Sequence, residues 1–472
     1  MVLAQFIAFV LQFASTVVLA RYLTPYEVGV SAVAFAVVAV VSVFQQLGLP
    51  SLIVREEVLT EEISITAFTV NAAFTALLSL VIAATSFAGA AFFRDGGVQR
   101  VLLVLAVTPL FGVFAFLPSA NLERAGRFKE MALIGTVGGI LNAAATIVFA
   151  VRGYSYMSVA YAQVMSSAVY ALLMVIVGRE HVRHRLGLTA WRRISAFGFQ
   201  MLAISGINTV AQRMSEVMMG RLLGLSALGM FNRANGLNAT LWGNIHNVLS
   251  RVMLVDFADL HRRGAPLRDR YLRTVSIVTV TLWPAFGGLA VISEPFIVLV
   301  YGDRWRPAAP LFVMLAVSSM ILVAITMTWE IFTATGRLAI QTRIEFVKAA
   351  FGTGVFVAGC LISLEAAAAA RVVDALFAFF IYRPHLNRMT GTSTSDYWPI
   401  YGRSLLATGL AVAPAGLAVH SAGPDDVPLP VLAFAILIGV LLWLGGLFAM
   451  KHPLASEIQA IARARFPRLI TR

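Results

Sequence analysis

The sequence is poor in charge and almost free of cysteine. Only 12% of its 472 residues are charged, against 59% hydrophobic, whereas soluble globular domains carry about 25% charged and about 45–50% apolar residues. Such a chain has too little polar surface to cover a core in water, so lipid must be its solvent over much of its length. Its mean hydropathy is +0.84. The single cysteine, Cys360, lies in an apolar run and excludes a disulfide framework and a cysteine-based zinc site. Of seven histidines, His246 and His420 fall in apolar stretches, while His181, His184, His261, His385 and His452 accompany arginines between them, so no metal cluster is expected. Acidic residues are outnumbered, 23 against 36 basic ones, for a net charge of +13. In a soluble protein this excess would point to nucleic acid. Here the basic residues sit in short segments between apolar runs, where topology signals and anionic headgroups explain them instead.

What the sequence does have is long apolar stretches. Fourteen of them, near 2–20, 28–48, 65–92, 99–119, 131–151, 156–178, 197–219, 228–250, 274–300, 309–333, 339–362, 365–382, 402–420 and 429–450, can cross a hydrocarbon core about 30 Å thick. The expected fold is therefore an all-α integral membrane bundle of about 14 transmembrane helices. Met1 is followed directly by apolar residues, without a basic n-region or a small-residue cleavage site, so the first stretch reads as span 1 and not as a signal peptide. From Lys451 to Arg472 the chain mixes apolar and basic residues, an amphipathic tail suited to the membrane surface. With both termini cytoplasmic, 25 of the 36 basic residues fall inside and 7 outside, leaving Arg213, Arg233, Lys348 and Arg371 within spans. The positive-inside rule selects this polarity and an even number of spans.

The chain also repeats itself. ARYLTPYEVGV (20–30) and GRLLGLSALGM (220–230) match at Arg21/Arg221, Leu23/Leu223 and Gly29/Gly229; VLAV (104–107) recurs as MLAV (314–317), and AGRF (125–128) as TGRL (335–338). The repeating unit holds six spans, so its copies share one membrane orientation, as in transporters built from parallel repeats. The expected organisation is an N-terminal six-helix lobe (1–178), a cytoplasmic linker (179–195), a C-terminal six-helix lobe (196–388), helices 13 and 14 (389–450), and the basic tail (451–472).

Charged residues inside a bilayer are costly and mark cavities or partners. Span 7 places Asn208, Gln212 and Glu216 on one helical face, with Arg213 beside it and within i,i+3 reach of Glu216. Span 8 aligns Asn235, Asn238, Trp242 and His246. At an offset of 200, Gln12 corresponds to Gln212 and Gln46 to His246. These residues, with Arg233 and Lys348, are the candidate cavity set. Each also has a plainer reading. Amides hydrogen-bond neighbouring helices, Arg213 and Glu216 form a structural pair, Arg233 and Lys348 reach toward the span ends, and His246 is only hydrogen-bonded. GTVGG (135–139) reads as small residues permitting close helix packing.

Several segments carry a resemblance: LARYLTPYEVG (19–29), FQQLGLPSLIVREEVLTEE (44–62), FKEMALIGTVGG (128–139) and GRLLGLSALGMFNRANGL (220–237). Across roughly residues 15–345 the chain resembles the Wzx-type polysaccharide exporters of the multidrug/oligosaccharidyl-lipid/polysaccharide exporter superfamily, in the lipopolysaccharide and succinoglycan subgroup. It departs from them in lacking a basic lead before span 1 and in having Ser215, followed by Glu216, where an Asp is common. The resemblance implies two MATE-like lobes plus two extra C-terminal helices in the bacterial inner membrane. It also implies a cargo of undecaprenyl-diphosphate-linked oligosaccharide, flipped outward by alternating access to serve a polysaccharide polymerase and chain-length proteins. Arg213, Arg233 and Lys348 would meet the diphosphate, and Gln212, Asn235, Asn238 and Trp242 the sugars. No nucleophile elbow, Walker loop or nucleotide-binding glycine run occurs, so neither enzyme activity nor a cofactor is expected. Competing expectations are a cation or drug antiporter, a peptidoglycan-precursor flippase and, more remotely, a polytopic polysaccharide-processing enzyme.

Overall fold

The computed structural model describes all residues except 1, 44–52, 54–58, 182–184, 190, 192–212, 424–426 and 466–472; side chains at 2–9, 43, 181, 244–248, 251 and 460–465 are likewise outside the description. Every regular element among the described residues is helical, the expected result where lipid offers no partner for an unpaired backbone group. The chain divides into two compact units, Met1–Asn232 and Arg233–Arg472.

The first unit contains α1 (Val2–Tyr22), α2 (Pro25–Val43), α3 (Glu61–Phe93), α4 (Gly96–Leu105), α5 (Thr108–Arg124), α6 (Phe128–Val151) and α7 (Met157–Val177). It ends with α8 (residues 213–222) and the first turns of α9 (Leu225–Arg262). Helix α6 packs on α1 and α7, α5 on α3 and α7, and α4 on α2 and α3. The TPYE segment starts α2 with reciprocal capping. The Thr24 N–H donates to Glu27 Oε2 at 2.7 Å, and the Glu27 N–H donates to Thr24 Oγ1 at 3.3 Å.

The two matched glycines meet here. A Cβ on Gly29 would lie 1.8 Å from the carbonyl oxygen of Leu225, and one on Gly229 would lie 1.9 Å from that of Pro25. Positions 25 and 29 thus oppose 229 and 225, a reciprocal crossing of α2 and α9 in which each partner is the other's copy at an offset of 200. Only glycine permits backbones to approach this closely.

The second unit continues from α9 through α10 (Arg268–Val291), α11 (Ser293–Tyr301), α12 (Ala308–Val323), α13 (Thr328–Ala334), α14 (Leu338–Cys360), α15 (Leu364–Thr390), α16 (Trp398–Ala422), α17 (Leu429–Ala449) and α18 (Pro453–Arg465). Helix α10 packs on α12 and α16, α15 on α12 and α14, and α16 on α17. The third sequence match is reproduced as a conformation. Gly126 and Gly336 both have φ of 69° after a helix end. The bonds from Gly126 N–H to Glu123 O (3.0 Å) and from Arg127 N–H to Leu122 O (2.9 Å) recur from Gly336 N–H to Thr333 O (3.1 Å) and from Arg337 N–H to Phe332 O (2.9 Å). Both are helix ends closed by a left-handed glycine.

Nine helical segments among the described residues are long and apolar enough to cross a membrane. The expected total of fourteen adds α1, span 7, α9, α14 and α15. Helices α14 and α15, at 23 and 27 residues, are long enough, but they carry Arg343, Glu345 and Lys348, and Arg371, Asp374 and Arg383. Three expected spans are broken. The 99–119 stretch divides between α4 and α5 just before Thr108-Pro109, 274–300 divides at Ile292, and 309–333 divides at 324–327, where Met327 has φ of 61°.

Arg383, counted as a loop cation in the topology, is 5% exposed. Its guanidinium lies over Tyr397 at 4.0 Å and Phe379 at 4.7 Å, and it donates to the Ala324 carbonyl at 2.8 Å. At the C-terminus, α18 lays Leu454, Ala455 and Ile458 against Val280, Ala407 and Leu447, and Glu457 pairs with Arg273 at 2.6 Å. His452 caps this helix: its Nδ1 accepts from the Leu454 N–H at 3.2 Å, and Nε2 lies 2.7 Å from Ser276 Oγ. An accepting Nδ1 requires the neutral ring with its proton on Nε2.

Two outcomes follow from this packing. Gly29→Ala and Gly229→Ala should each cost about 1–3 kcal/mol of overpacking, read as a lower thermal midpoint in detergent. Gly236→Ala, whose Cβ would meet nothing within 4 Å among the described residues, should leave the midpoint unchanged or raise it. Burial, helped by Arg403, pushes the His452 pKa down from 6.5 to about 4. The docking of α18 is therefore fully supported above pH 6.5 and weakens as pH falls toward 4. The protection factors of the amides in 454–459, which are exchange rates corrected for the intrinsic pH dependence, should fall between pH 7 and pH 5, and that fall should vanish in His452→Asn.

Candidate functional site

The first unit carries an open cavity of about 480 Å³. Two helical stripes of the same spacing build it. On α6, Gly135, Gly138, Gly139 and Asn142 stand at i, i+3, i+4 and i+7; on α7, Gln163, Ser166, Ser167 and Tyr170 do the same. Gln12 from α1, Ser42 from α2, and Thr108, Phe111 and Gly112 from α5 complete the wall. No charged side chain lines it among the described residues.

The polar groups are linked across the helix pair. Asn142 Nδ2 donates to Ser166 Oγ at 3.0 Å and to Gln163 Oε1 at 3.3 Å, and Gln163 Nε2 donates to Ser167 Oγ at 3.3 Å. The Thr108 hydroxyl is buried without a hydrogen-bond partner among the described residues. The glycines correct the expectation drawn from GTVGG. Among the described residues, a Cβ at Gly135, Gly139 or Gly112 would meet nothing within 4 Å, and one at Gly138 would make only ordinary contact with Tyr170 at 3.8 Å. These glycines do not bring helices together; they leave room.

The candidate residues distribute as follows. Gln12 is exposed and lines this cavity. Arg213 and Glu216 meet on α8, with Arg213 Nη1 donating to Oε1 at 2.9 Å and Oε2 at 3.0 Å. Gln46, Asn208, Gln212 and the side chain of His246 lie outside the described residues. In the second unit Arg233 is 8% exposed, with its guanidinium over Trp305 at 5.0 Å and Tyr301 at 5.5 Å. Asn238 Oδ1 accepts from Ser319 Oγ at 2.9 Å, while Asn235 and Trp242 are half-buried on the same helix. Lys348 Nζ lies 3.6 Å from Glu345 Oε2, and the Tyr382 hydroxyl donates to Glu345 Oε1 at 2.5 Å.

Sequence reasoning passed over Asn142, Gln163, Ser166 and Ser167, although their periodicity was open to it. It also passed over Glu330, 1% exposed and accepting from Ser250. Among the described residues no three His, Cys, Asp or Glu side chains converge as a metal site would require.

The fold is shared with two solved structures. Over 96% of this chain and 99% of the other, it superposes on a structure titled lipid II flippase MurJ, inward closed conformation, with a TM-score of 0.74 at 14% identity. An inward-facing multidrug resistance MATE family transporter of the MOP superfamily matches with a TM-score of 0.61 at 14% identity, over 81% of this chain and 96% of that one. Sequence narrows the assignment. Residues 18–310 match the family described as polysaccharide biosynthesis protein, and the chain belongs to that family. It is 27% identical over 372 residues to the succinoglycan biosynthesis transport protein ExoT of Rhizobium meliloti (strain 1021), covering 76% of this chain and 73% of the relative. It is 23% identical over 400 residues to the lipopolysaccharide biosynthesis protein WzxC of Escherichia coli (strain K12), covering 80% and 78%. These matches agree with the resemblance to the Wzx-type exporters.

The Arg213–Glu216 pair yields a test that separates its two readings. If the pair only joins neighbouring turns, Arg213→Ala/Glu216→Ala should function better than Arg213→Ala, because the double variant removes the carboxylate along with its cation. If Arg213 holds an anionic cargo, both variants should lose transport alike. Surface polysaccharide per cell, at matched membrane protein levels, makes the comparison.

Proposed function

We propose that the protein is a flippase that carries a lipid-linked oligosaccharide from the cytoplasmic to the periplasmic leaflet of a bacterial inner membrane, by alternating access, for surface polysaccharide synthesis. The observation that carries this reading is the family match over residues 18–310, supported by a relative named for succinoglycan transport. The chemistry suits such a cargo. A diphosphate needs cations away from water, and Arg213 is the group we assign to it, with Arg233 and Lys348 as further candidates. Sugars need amide partners for their hydroxyls and an aromatic face for ring packing; Gln12, Gln212, Asn235 and Asn238 can supply the first and Trp242 the second. The duplicated segments support two parallel six-helix lobes, and the arginine distribution supports cytoplasmic termini. The protein would then act as a transporter and not as an enzyme, handing its cargo to a polymerase and chain-length proteins.

Deleting the gene should abolish surface polysaccharide and leave lipid-linked repeat units accumulating on the cytoplasmic face. The strain should remain viable, which separates this cargo from a peptidoglycan precursor. Undiminished polymer in the deletion strain would overturn the proposal.

A further inference from the structure

The cavity of the first unit has a chemistry of its own. Its wall offers amides, hydroxyls and bare helix backbone, and no charged side chain among the described residues. An anion needs a cation beside it where water is scarce, and none stands on this wall among the described residues, so the groups present favour neither a diphosphate nor a uronate carboxylate. An apolar drug or prenyl chain would leave the Thr108 hydroxyl without a partner, and would not use the hydrogen-bonding capacity that Asn142 and Gln163 keep beyond their bonds to each other, Ser166 and Ser167. A neutral pyranose satisfies both demands. Its hydroxyls both donate and accept, as the side-chain amides of Asn142 and Gln163 do, and its C–H face can pack on the rings of Tyr170 and Phe111.

The glycines make the case independently. A glycine inside a helix is less stable there than alanine, yet nothing near Gly135, Gly139 or Gly112 among the described residues requires its absent side chain. What the three glycines preserve is volume. At about 480 Å³ the space falls within the range of small-molecule sites, roughly 300–1,000 Å³.

We infer that this cavity binds an uncharged sugar of the transported oligosaccharide, with Asn142 and Gln163 holding its hydroxyls over the glycine floor of α6. The inference rests on the transport reading above and adds to it the class of group this pocket accepts.

The test uses the full-length protein. Gly139→Leu places a side chain in empty space, so it should fill the cavity while keeping the fold; Gln163→Ala removes an amide and keeps the volume. Both variants go into the deletion strain, with membrane protein level and thermal midpoint as controls for folding. We expect each to lower surface polysaccharide at least tenfold at unchanged protein level, with lipid-linked repeats accumulating. Titration calorimetry of the purified proteins, with the neutral oligosaccharide released by mild acid from those repeats, should show binding to the unaltered chain weakened at least tenfold by Gly139→Leu. Normal polymer and unchanged oligosaccharide binding in both variants would overturn the pocket assignment while leaving the transport reading intact. Normal polymer in the deletion strain itself would remove the transport reading first. Should Gly139→Leu fail to accumulate, Gln163→Ala decides on the same two readouts.

Discussion

The structure is governed by the cost of leaving a polar group unpaired in hydrocarbon. Every regular element described is helical because a helix satisfies its backbone from within, and polar side chains are sorted by the same penalty. Some pair across helices, as Thr279 does with Ser404 at 2.8 Å and Asn238 with Ser319. Others use local geometry, as in the Arg213–Glu216 pair one turn apart. Arg383 finds aromatic faces and a carbonyl in place of a carboxylate. A further group, Asn142, Gln163, Ser166 and Ser167, lines the cavity of the first unit and binds within itself.

Duplication supplies the second principle of organisation. The resemblance between copies is faint in letters and firm in conformation. Gly126 and Gly336 share a φ of 69° and the same two hydrogen bonds, although only glycine and arginine are common to the two segments AGRF and TGRL. What persisted is the residue that a left-handed helix end requires, together with the turn it closes.

Much of the architecture was legible in the sequence because hydropathy and helical periodicity report directly on lipid exposure. The breaks were not legible. Hydropathy cannot register a helix interrupted within an apolar run, so 99–119 read as continuous although Thr108-Pro109 restarts the chain there, and Met327 gives no local sign of its positive φ. The pairing of Arg213 with Glu216 followed from spacing alone. The cavity was not legible because serines and glycines barely depress hydropathy, and because the offset of 200 points to the polar residues of spans 1, 2, 7 and 8. GTVGG illustrates a deeper limit: a glycine that admits a neighbouring helix and a glycine that keeps a space open are identical in sequence, and only the surrounding atoms distinguish them. Arg383 shows the converse, a cation assigned to solvent by its position in the chain and found among aromatic rings.

The reciprocal crossing of Gly29 and Gly229 makes two distant codons answer to one steric limit. A methyl group added to Gly29 would press on the Leu225 carbonyl and one added to Gly229 on that of Pro25, so in each case the obstacle is backbone of the other copy, which no side-chain change there can remove. Inheriting the motif twice has supplied no spare here. The later matches sit ten residues further apart than this one, so length could change between them, while the crossing itself had no freedom to drift.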